Sequence, residues 1–284
     1  MAEILKGAPV AAALSEGYRA QADRLRARGI MPQLAILRVG ERADDLAYES
    51  GAKKRCESIG IRVRSAVLPQ DVPQKELIAE IDRLNSDKTV HGVLMFRPLP
   101  KTLDERAVCA ALDPRKDVDG ITAGSMARVY SGTGEGFPPC TAQSVMEILK
   151  YYGIGTAGRR AVVIGRSLVI GRPVAMLLME ANATVTICHT QTADMPALTR
   201  QADIVVAAVG KAETVTAEYF SPGQIVIDVG INYSEAKRRL VGDVDFENVE
   251  PLAAAISPVP SGVGSVTTAL LCGHVLEAAE RQSV

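Results

Sequence analysis

Short apolar runs along the chain alternate with stretches in which apolar residues recur every three or four positions. In the first half the runs "QLAILRV", "RVRSAVLP" and "HGVLMF" read as strands, with helices predicted near Ala43 to Ile59 and Gln74 to Leu84. That alternation marks βα units on a mostly parallel sheet, and the spacing predicts a three-layer α/β domain. Between Lys101 and Cys140 the periodicity lapses into "DPRKDVDGITAGS" and "YSGTGEGFPPCT", whose Gly, Pro, Ser, Thr and Asp content is that of loops, and a domain boundary is expected there. Thr141 precedes the helical pattern "AQSVMEILKYYG" and is expected to cap it, with Gly153 ending it. Four further strands, "RRAVVIG", "ATVTICH", "ADIVVAAVG" and "GQIVIDVG", predict a second parallel sheet with helical segments between the first three. The last segment, "SVTTALLCGHVLEAAERQ", reads as an amphipathic helix.

A length of 284 residues, 47% of them hydrophobic, suits two α/β domains. The formal charge of -1 offers no field to draw in nucleic acid or an acidic membrane surface. The N-terminal stretch lacks the basic start and cleavage site of a signal peptide, and no segment reaches about 18 uninterrupted apolar residues. The five cysteines are scattered without a Cys-x-x-Cys pair, which reads as reduced thiols in a cytoplasm, with no metal site expected.

The segment "VVIGRSLVIGRPVAMLL" changes the picture from fold to chemistry. A buried strand runs into a turn at Gly165, and Gly171 and Pro173 start a helix whose N-H groups and positive dipole end suit a pyrophosphate. The spacing Gly165, Arg166, Ser167, Gly171 is not G-x-G-x-x-G, and a purely structural βα turn remains open. The next strand ends in "CHTQT" with no acidic residue to take two ribose hydroxyls, so Arg166 with Thr190 is suited to a 2'-phosphate, favouring NADP. His189 is expected to be structural. In the first half, "DDLAYESGAKKRC" places Tyr48 on a helix, and the position one turn later, facing the same way, holds Ala52.

Taken together, "LKGAPVAAAL", "DKTVHGVL", "DPRKDVDG", "PPCT", "VVIGRSLVIGRP", "ATVTICHT", "VVAAVG", "IVIDVGIN", "VGDVDF" and "SPVPSGVGSVT" resemble the FolD family of methylenetetrahydrofolate dehydrogenase/cyclohydrolase enzymes over nearly the whole chain. The resemblance implies an N-terminal folate-binding domain, residues 1–140, completed by a C-terminal helix at 266–284, and a Rossmann domain, residues 141–265, that binds NADP. It implies a substrate cleft between the domains, a homodimer and tetrahydrofolate one-carbon derivatives as substrates. The family's reactions are hydride transfer from 5,10-methylenetetrahydrofolate to NADP and hydrolysis of the methenyl product to 10-formyltetrahydrofolate.

Residue by residue, the resemblance makes Tyr48 the tyrosine that stacks near the pterin or its aryl group. It makes Asp119 of "KDVDG" the acceptor for the pterin's N-H donors. It assigns Pro258 and Gly262 to the substrate, and Gly165, Arg166, Ser167, Gly171, Thr190, Gly210, Ile231 and Thr267 to the cofactor. Two positions depart: the family's lysine falls on Ala52, and the glutamine of its "VQLPLP" motif falls on Phe96. Ser261 also replaces a glycine of the family's "PVPGGVGPMT" loop, where a serine adopts positive φ less readily.

Neighbouring residues are poor substitutes. At about 100° per residue, Lys53 and Lys54 lie roughly 120° to 140° from the direction of Tyr48. Arg97 should leave the strand on the face opposite Phe96, and an arginine is no base near neutral pH. The expected protein is an NADP-dependent methylenetetrahydrofolate dehydrogenase with weak or lost cyclohydrolase activity. The alternatives are a bifunctional enzyme with Lys53 or Lys54 turned inward, a silent NADP- or folate-binding paralogue, and a dehydrogenase acting on another reduced pterin.

Overall fold

A computed structural model describes residues 1–283. In chain order the first half carries β1 (Glu3–Ile4), α1 (Gly7–Ala27), β2 (Gln33–Val39), α2 (Ala43–Ile59), β3 (Arg62–Leu68), α3 (Gln74–Ser86), β4 (Gly92–Met95), α4 (Glu105–Ala111) and α5 (Ala123–Ser131). The second carries α6 (Cys140–Tyr151), β5 (Arg160–Ile164), α7 (Gly171–Glu180), β6 (Thr184–Cys188), α8 (Met195–Thr199), β7 (Ile204–Ala207) and β8 (Ile225–Asp228). There follow β9 (Asn232–Ser234), β10 (Arg239–Val241), α9 (Phe246–Val249), β11 (Ala255–Ile256) and α10 (Gly264–Arg281). Among the described residues no helix is long and apolar enough to cross a membrane.

Residues 13–140, with those from Thr268 onward, form one compact α/β unit. Its sheet has the order β3-β2-β4 and is parallel throughout. Central β2 buries Leu34, Ala35, Ile36 and Leu37 in succession, as a strand covered on both faces does, whereas edge strand β3 is half open. On α3 the apolar residues Leu77, Ile81 and Leu84 recur at helical spacing and pack with Leu37, Val93 and Met95 in one core.

Residues 1–12 and 141–267 form the other unit. All its main-sheet pairings are parallel, in the order β1-β11-β8-β7-β5-β6. The chain runs from β5 to β6 on one side, then crosses to β7 and β8 on the other, so strand order reverses beside β5 and opens a crevice at the strand C-termini.

Three expectations need correction. The second sheet has six strands, not four, because β1 and β11 have two residues each and carry no readable periodicity. The first twelve residues do not belong with the first-half sheet as a 1–140 domain would have them, because Glu3 and Ile4 pair with Ala255 and Ile256. Thr141 does not cap α6, which already starts at Cys140. The antiparallel β9–β10 hairpin was also not anticipated.

Packing around β4 leaves no slack. A Cβ added at Gly92 would lie 2.6 Å from Val118 Cγ1 and 3.2 Å from Val275 Cγ2. Gly92→Ala should therefore destabilise the protein by about 1–3 kcal/mol, read as a lower urea midpoint with an unchanged slope.

Candidate active site and cofactor-binding surface

The rotational setting of α2 is fixed by a buried carboxylate. Glu49, 5% exposed, accepts hydrogen bonds from Arg38 Nε at 3.0 Å and Ser65 Oγ at 2.6 Å, and its Oε1 lies 2.6 Å from Lys53 Nζ. Burial alone would raise the Glu49 pKa, but the bonds from Lys53, Ser65 and Arg38 outweigh it and hold the carboxyl below its usual range. Lys53 is thus committed to Glu49, and Lys54 is exposed.

With α2 so held, Ala52 is wholly buried, and Tyr48 meets Phe96 edge-on with ring centroids 5.7 Å apart. The Tyr48 phenol is pushed well above its ordinary value, first by burial and then by the Asp119 carboxylate, so it remains neutral and able to donate. The structure thereby brings Tyr48, Phe96 and Asp119 into one neighbourhood. Arg97 pairs with Glu105 at 3.7 Å, yet its charge still reaches Asp119.

Asp119 is presented by a loop that the preceding aspartate organises. Asp117 is buried and accepts from Ile121 N at 2.9 Å, Thr122 N at 2.7 Å and Ser125 Oγ at 2.6 Å. Between the two aspartates, the Val118 carbonyl accepts from His274 Nδ1 at 2.8 Å and from Cys140 Sγ at 3.3 Å. A carbonyl only accepts, so His274 carries its proton on Nδ1; burial holds its pKa below the ordinary value, which keeps the ring neutral. Asp119 is pushed up to about 6, by desolvation first and the Asp117 carboxylate second, against Arg97 and the Cys140 thiol. The structural work of Asp117 and His274 was not anticipated from sequence.

The other unit gathers the expected cofactor residues at the C-terminal ends of its strands. Gly165 follows β5, Thr190 lies just past β6, Gly210 past β7 and Ile231 past β8. A side chain at Gly165, whose φ is +131°, would collide with the Ala208 carbonyl, and one at Gly171 with the Gly165 carbonyl, so both glycines are demanded by the tight turn. Arg166, Ser167 and Thr190 are exposed. The N-terminus of α7 is less open than its sequence suggests: Ser167 Oγ accepts from Ile170 N at 3.1 Å and Gly171 N at 3.4 Å. The helix dipole and the Arg166 guanidinium remain for an anion, whereas those two N-H groups are already engaged. His189 Nδ1 accepts from Gln191 N at 3.2 Å, a structural role in its turn.

Pro258, Gly262 and Thr267 belong to the same unit. The Thr267 hydroxyl, in the first turn of α10, donates to the carbonyl of Val263, the residue just before the helix, at 3.4 Å. The Ser261 carbonyl accepts from Gly7 N at 2.8 Å, and a Cβ at Gly7 would collide with the Gly262 carbonyl, so the N-terminal arm buttresses this loop. Ser261 has φ +81°, the left-handed conformation that glycine adopts without strain.

A parallel sheet with a switch point, its strand ends carrying a tight glycine turn, and a second α/β unit with a clustered tyrosine and aspartate define a two-domain enzyme architecture with a Rossmann-type nucleotide domain. Residues 5–119 match the model for the tetrahydrofolate dehydrogenase/cyclohydrolase catalytic domain, and residues 139–283 match that family's NAD(P)-binding domain. The chain belongs to the tetrahydrofolate dehydrogenase/cyclohydrolase, or FolD, family. It is 52% identical to the bifunctional protein FolD of Carboxydothermus hydrogenoformans, over 99% of this chain and 98% of that one. The crystal structure of the bifunctional FolD of Campylobacter jejuni superposes with a TM-score of 0.95 at 37% identity, covering 99% of both chains. That of Trypanosoma brucei FolD, complexed with NADP and an inhibitor, superposes with a TM-score of 0.92 at 35% identity, over 99% of this chain and 98% of that one.

The strain at Ser261 has a measurable consequence. Ser261→Gly should stabilise the protein by about 1 kcal/mol, less the extra entropy glycine gives the unfolded chain, and a thermal melt reads it as a raised Tm. A fall in Tm would show that the serine makes compensating contacts.

Proposed function

We propose that the protein is an NADP-dependent 5,10-methylenetetrahydrofolate dehydrogenase of one-carbon metabolism whose cyclohydrolase activity is weak or lost. The observation that carries the proposal is the inward face of α2. By the resemblance, the family's lysine falls on Ala52 and its glutamine on Phe96; Ala52 is wholly buried, and Lys53 is held by Glu49. Neither Lys53, which Glu49 holds, nor exposed Lys54 therefore supplies an ammonium beside Tyr48.

In this reading Asp119 accepts the pterin's N-H donors and Tyr48 packs against the ring system. The Pro258–Gly262 loop contacts the folate, and Arg166 with Thr190 holds a 2'-phosphate. NADP fits because Gly165 and Gly171 let the backbone turn closely while Arg166 stands exposed; the T. brucei relative is described as complexed with NADP. When bound, NADP supplies the hydride acceptor. The chain's own task is to hold the donor carbon in near-attack geometry, which needs no general base. Hydrolysis instead needs water activated and protons moved, and losing a general acid or base costs about a hundredfold to ten-thousandfold, roughly 3 to 5 kcal/mol of barrier. A homodimer located in the cytoplasm completes the reading.

The bifunctional names of the relatives favour a second reading, in which hydrolysis is retained. Turnover of methylenetetrahydrofolate with NADP, followed by methenyl absorbance, separates the two. Methenyl compound should accumulate and decay only at its uncatalysed rate; rapid enzyme-dependent decay sinks the proposal, and absence of hydride transfer indicates a silent paralogue. An Ala52→Lys, Phe96→Gln double variant should regain hydrolysis.

Asp119 gives two further expectations. Asp119→Asn should weaken folate binding by about tenfold to a hundredfold, the worth of a charge-assisted hydrogen bond. The ionised carboxylate is the better acceptor, and its pKa is about 6. The folate KM should therefore be flat above about pH 7 and rise as pH falls through 6, by up to about tenfold per unit. The same profile measured on Asp119→Asn should lose that rise.

A further inference from the structure

Asp243 lies in "VGDVDF", between β10 and α9, and is wholly buried. Its Oδ2 accepts from Val209 N at 2.6 Å and Gly210 N at 3.0 Å. Its Oδ1 accepts from Lys211 N at 3.0 Å and Asn232 Nδ2 at 2.9 Å. Four donors occupy the lone-pair sites of one carboxylate. They come from two separate segments, the turn after β7 and the start of β9, just past the loop that follows β8.

A second carboxylate fixes the first. Asp228, the last residue of β8, accepts from Asp243 N at 3.0 Å, Gly230 N at 2.9 Å and Val244 N at 2.9 Å. Its own N-H donates to Ser257 Oγ at 2.8 Å. Side chains at Gly230 and Gly242 would collide with the Asp243 and Asp228 carboxyls respectively, so both glycines exist to let backbone and carboxylate meet. A line of hydrogen bonds runs from the end of a core strand, through Asp228 and the backbone at 243, to the Asp243 carboxylate and out to two surface segments.

What those segments display is exposed. Gly210 is open to solvent in a left-handed conformation with φ +70°, and Ile231 is 61% exposed. Burying a carboxylate is costly unless it is fully hydrogen-bonded, and of the four residues it holds, Val209 and Asn232 are half-buried while Gly210 and Lys211 are exposed. Such an expenditure is explained by preorganisation of a binding surface.

We propose that Asp243 is the positioning residue of the cofactor surface: it holds the Val209–Lys211 turn and Asn232 in the geometry that receives the dinucleotide, without touching it. The proposal rests on the assignment of Gly210 and Ile231 to the cofactor. Asp243→Asn keeps the shape but turns an N-H pair toward N-H donors, and Asn232→Ala removes one partner only.

Calorimetric titration of the full chain with NADP tests the proposal, alongside steady-state kinetics. Asp243→Asn should raise the NADP Kd and KM by about tenfold or more, with the folate KM within about twofold of wild type. Asn232→Ala should raise the NADP Kd by about threefold, and the double variant should be no weaker than Asp243→Asn alone, because the two act through one contact. A folded Asp243→Asn protein with wild-type NADP affinity overturns the proposal, as do single-variant losses that multiply fully in the double variant. If Asp243→Asn does not fold, Asn232→Ala decides, and an unchanged Kd overturns it. A wild-type protein that binds no NADP overturns the cofactor assignment and this proposal with it; wild-type binding with unaffected variants overturns this proposal alone.

Discussion

The carboxylate of Glu49 is the constraint on which the first unit's chemistry depends. Left unpaired at 5% exposure it would cost several kcal/mol; three donors on three different elements remove that penalty and leave α2 one rotational setting. Arg38 comes from β2, Ser65 from β3 and Lys53 from α2 itself. With Glu49 turned to the sheet, position 52 must be buried. Tyr48, 100° back along the helix by ideal geometry, is turned toward Phe96. The identity of residue 52 thus decides what chemistry reaches that neighbourhood, while the ammonium one residue later is spent on structure.

Two kinds of buried carboxylate recur, and their environments separate their roles. Asp243 accepts four donors of the fold and Asp117 three, and both serve as posts for loops. Asp119 accepts no backbone donor of its own loop among the described residues, and desolvation first and the Asp117 charge second push it up to about 6. A carboxylate left with acceptor capacity in a pocket is suited to a ligand with donors, and one already saturated is not.

Much of this was legible in the sequence where a period carries the signal. Leu77, Ile81 and Leu84 fix the buried face of α3, and the unbroken apolar runs of β2, β5, β7 and β8 report strands covered on both faces. What escaped had no period to read. Strands β1 and β11 exist because their two-residue segments extend an existing edge, a tertiary fact. The local bonds of Ser167 to the start of α7 depend on the turn geometry after Gly165, and the saturation of Asp243 depends on where backbone N-H groups more than thirty residues away arrive, which composition does not encode. Within the candidate site, spacing alone put Tyr48 and Ala52 on a common helix face and the family resemblance added Phe96, but the commitment of Lys53 to Glu49 required the positions of β2 and β3.

On the proposed reading, Ala52 and Phe96 stand where a lysine and a glutamine would serve hydrolysis, and the scaffold accommodates them for a physical reason. A lysine ammonium and a glutamine amide in a desolvated pocket are costs to folding that an active site bears for its chemistry. Alanine at 52 is wholly buried and phenylalanine at 96 nearly so, and each satisfies its surroundings by packing alone, with Phe96 gaining an edge-on contact to Tyr48. The Glu49 cluster, the Asp117 loop and the Asp228–Asp243 line draw nothing from residues 52 and 96, so a chain could lose the groups of one reaction while the geometry serving the other stayed fixed.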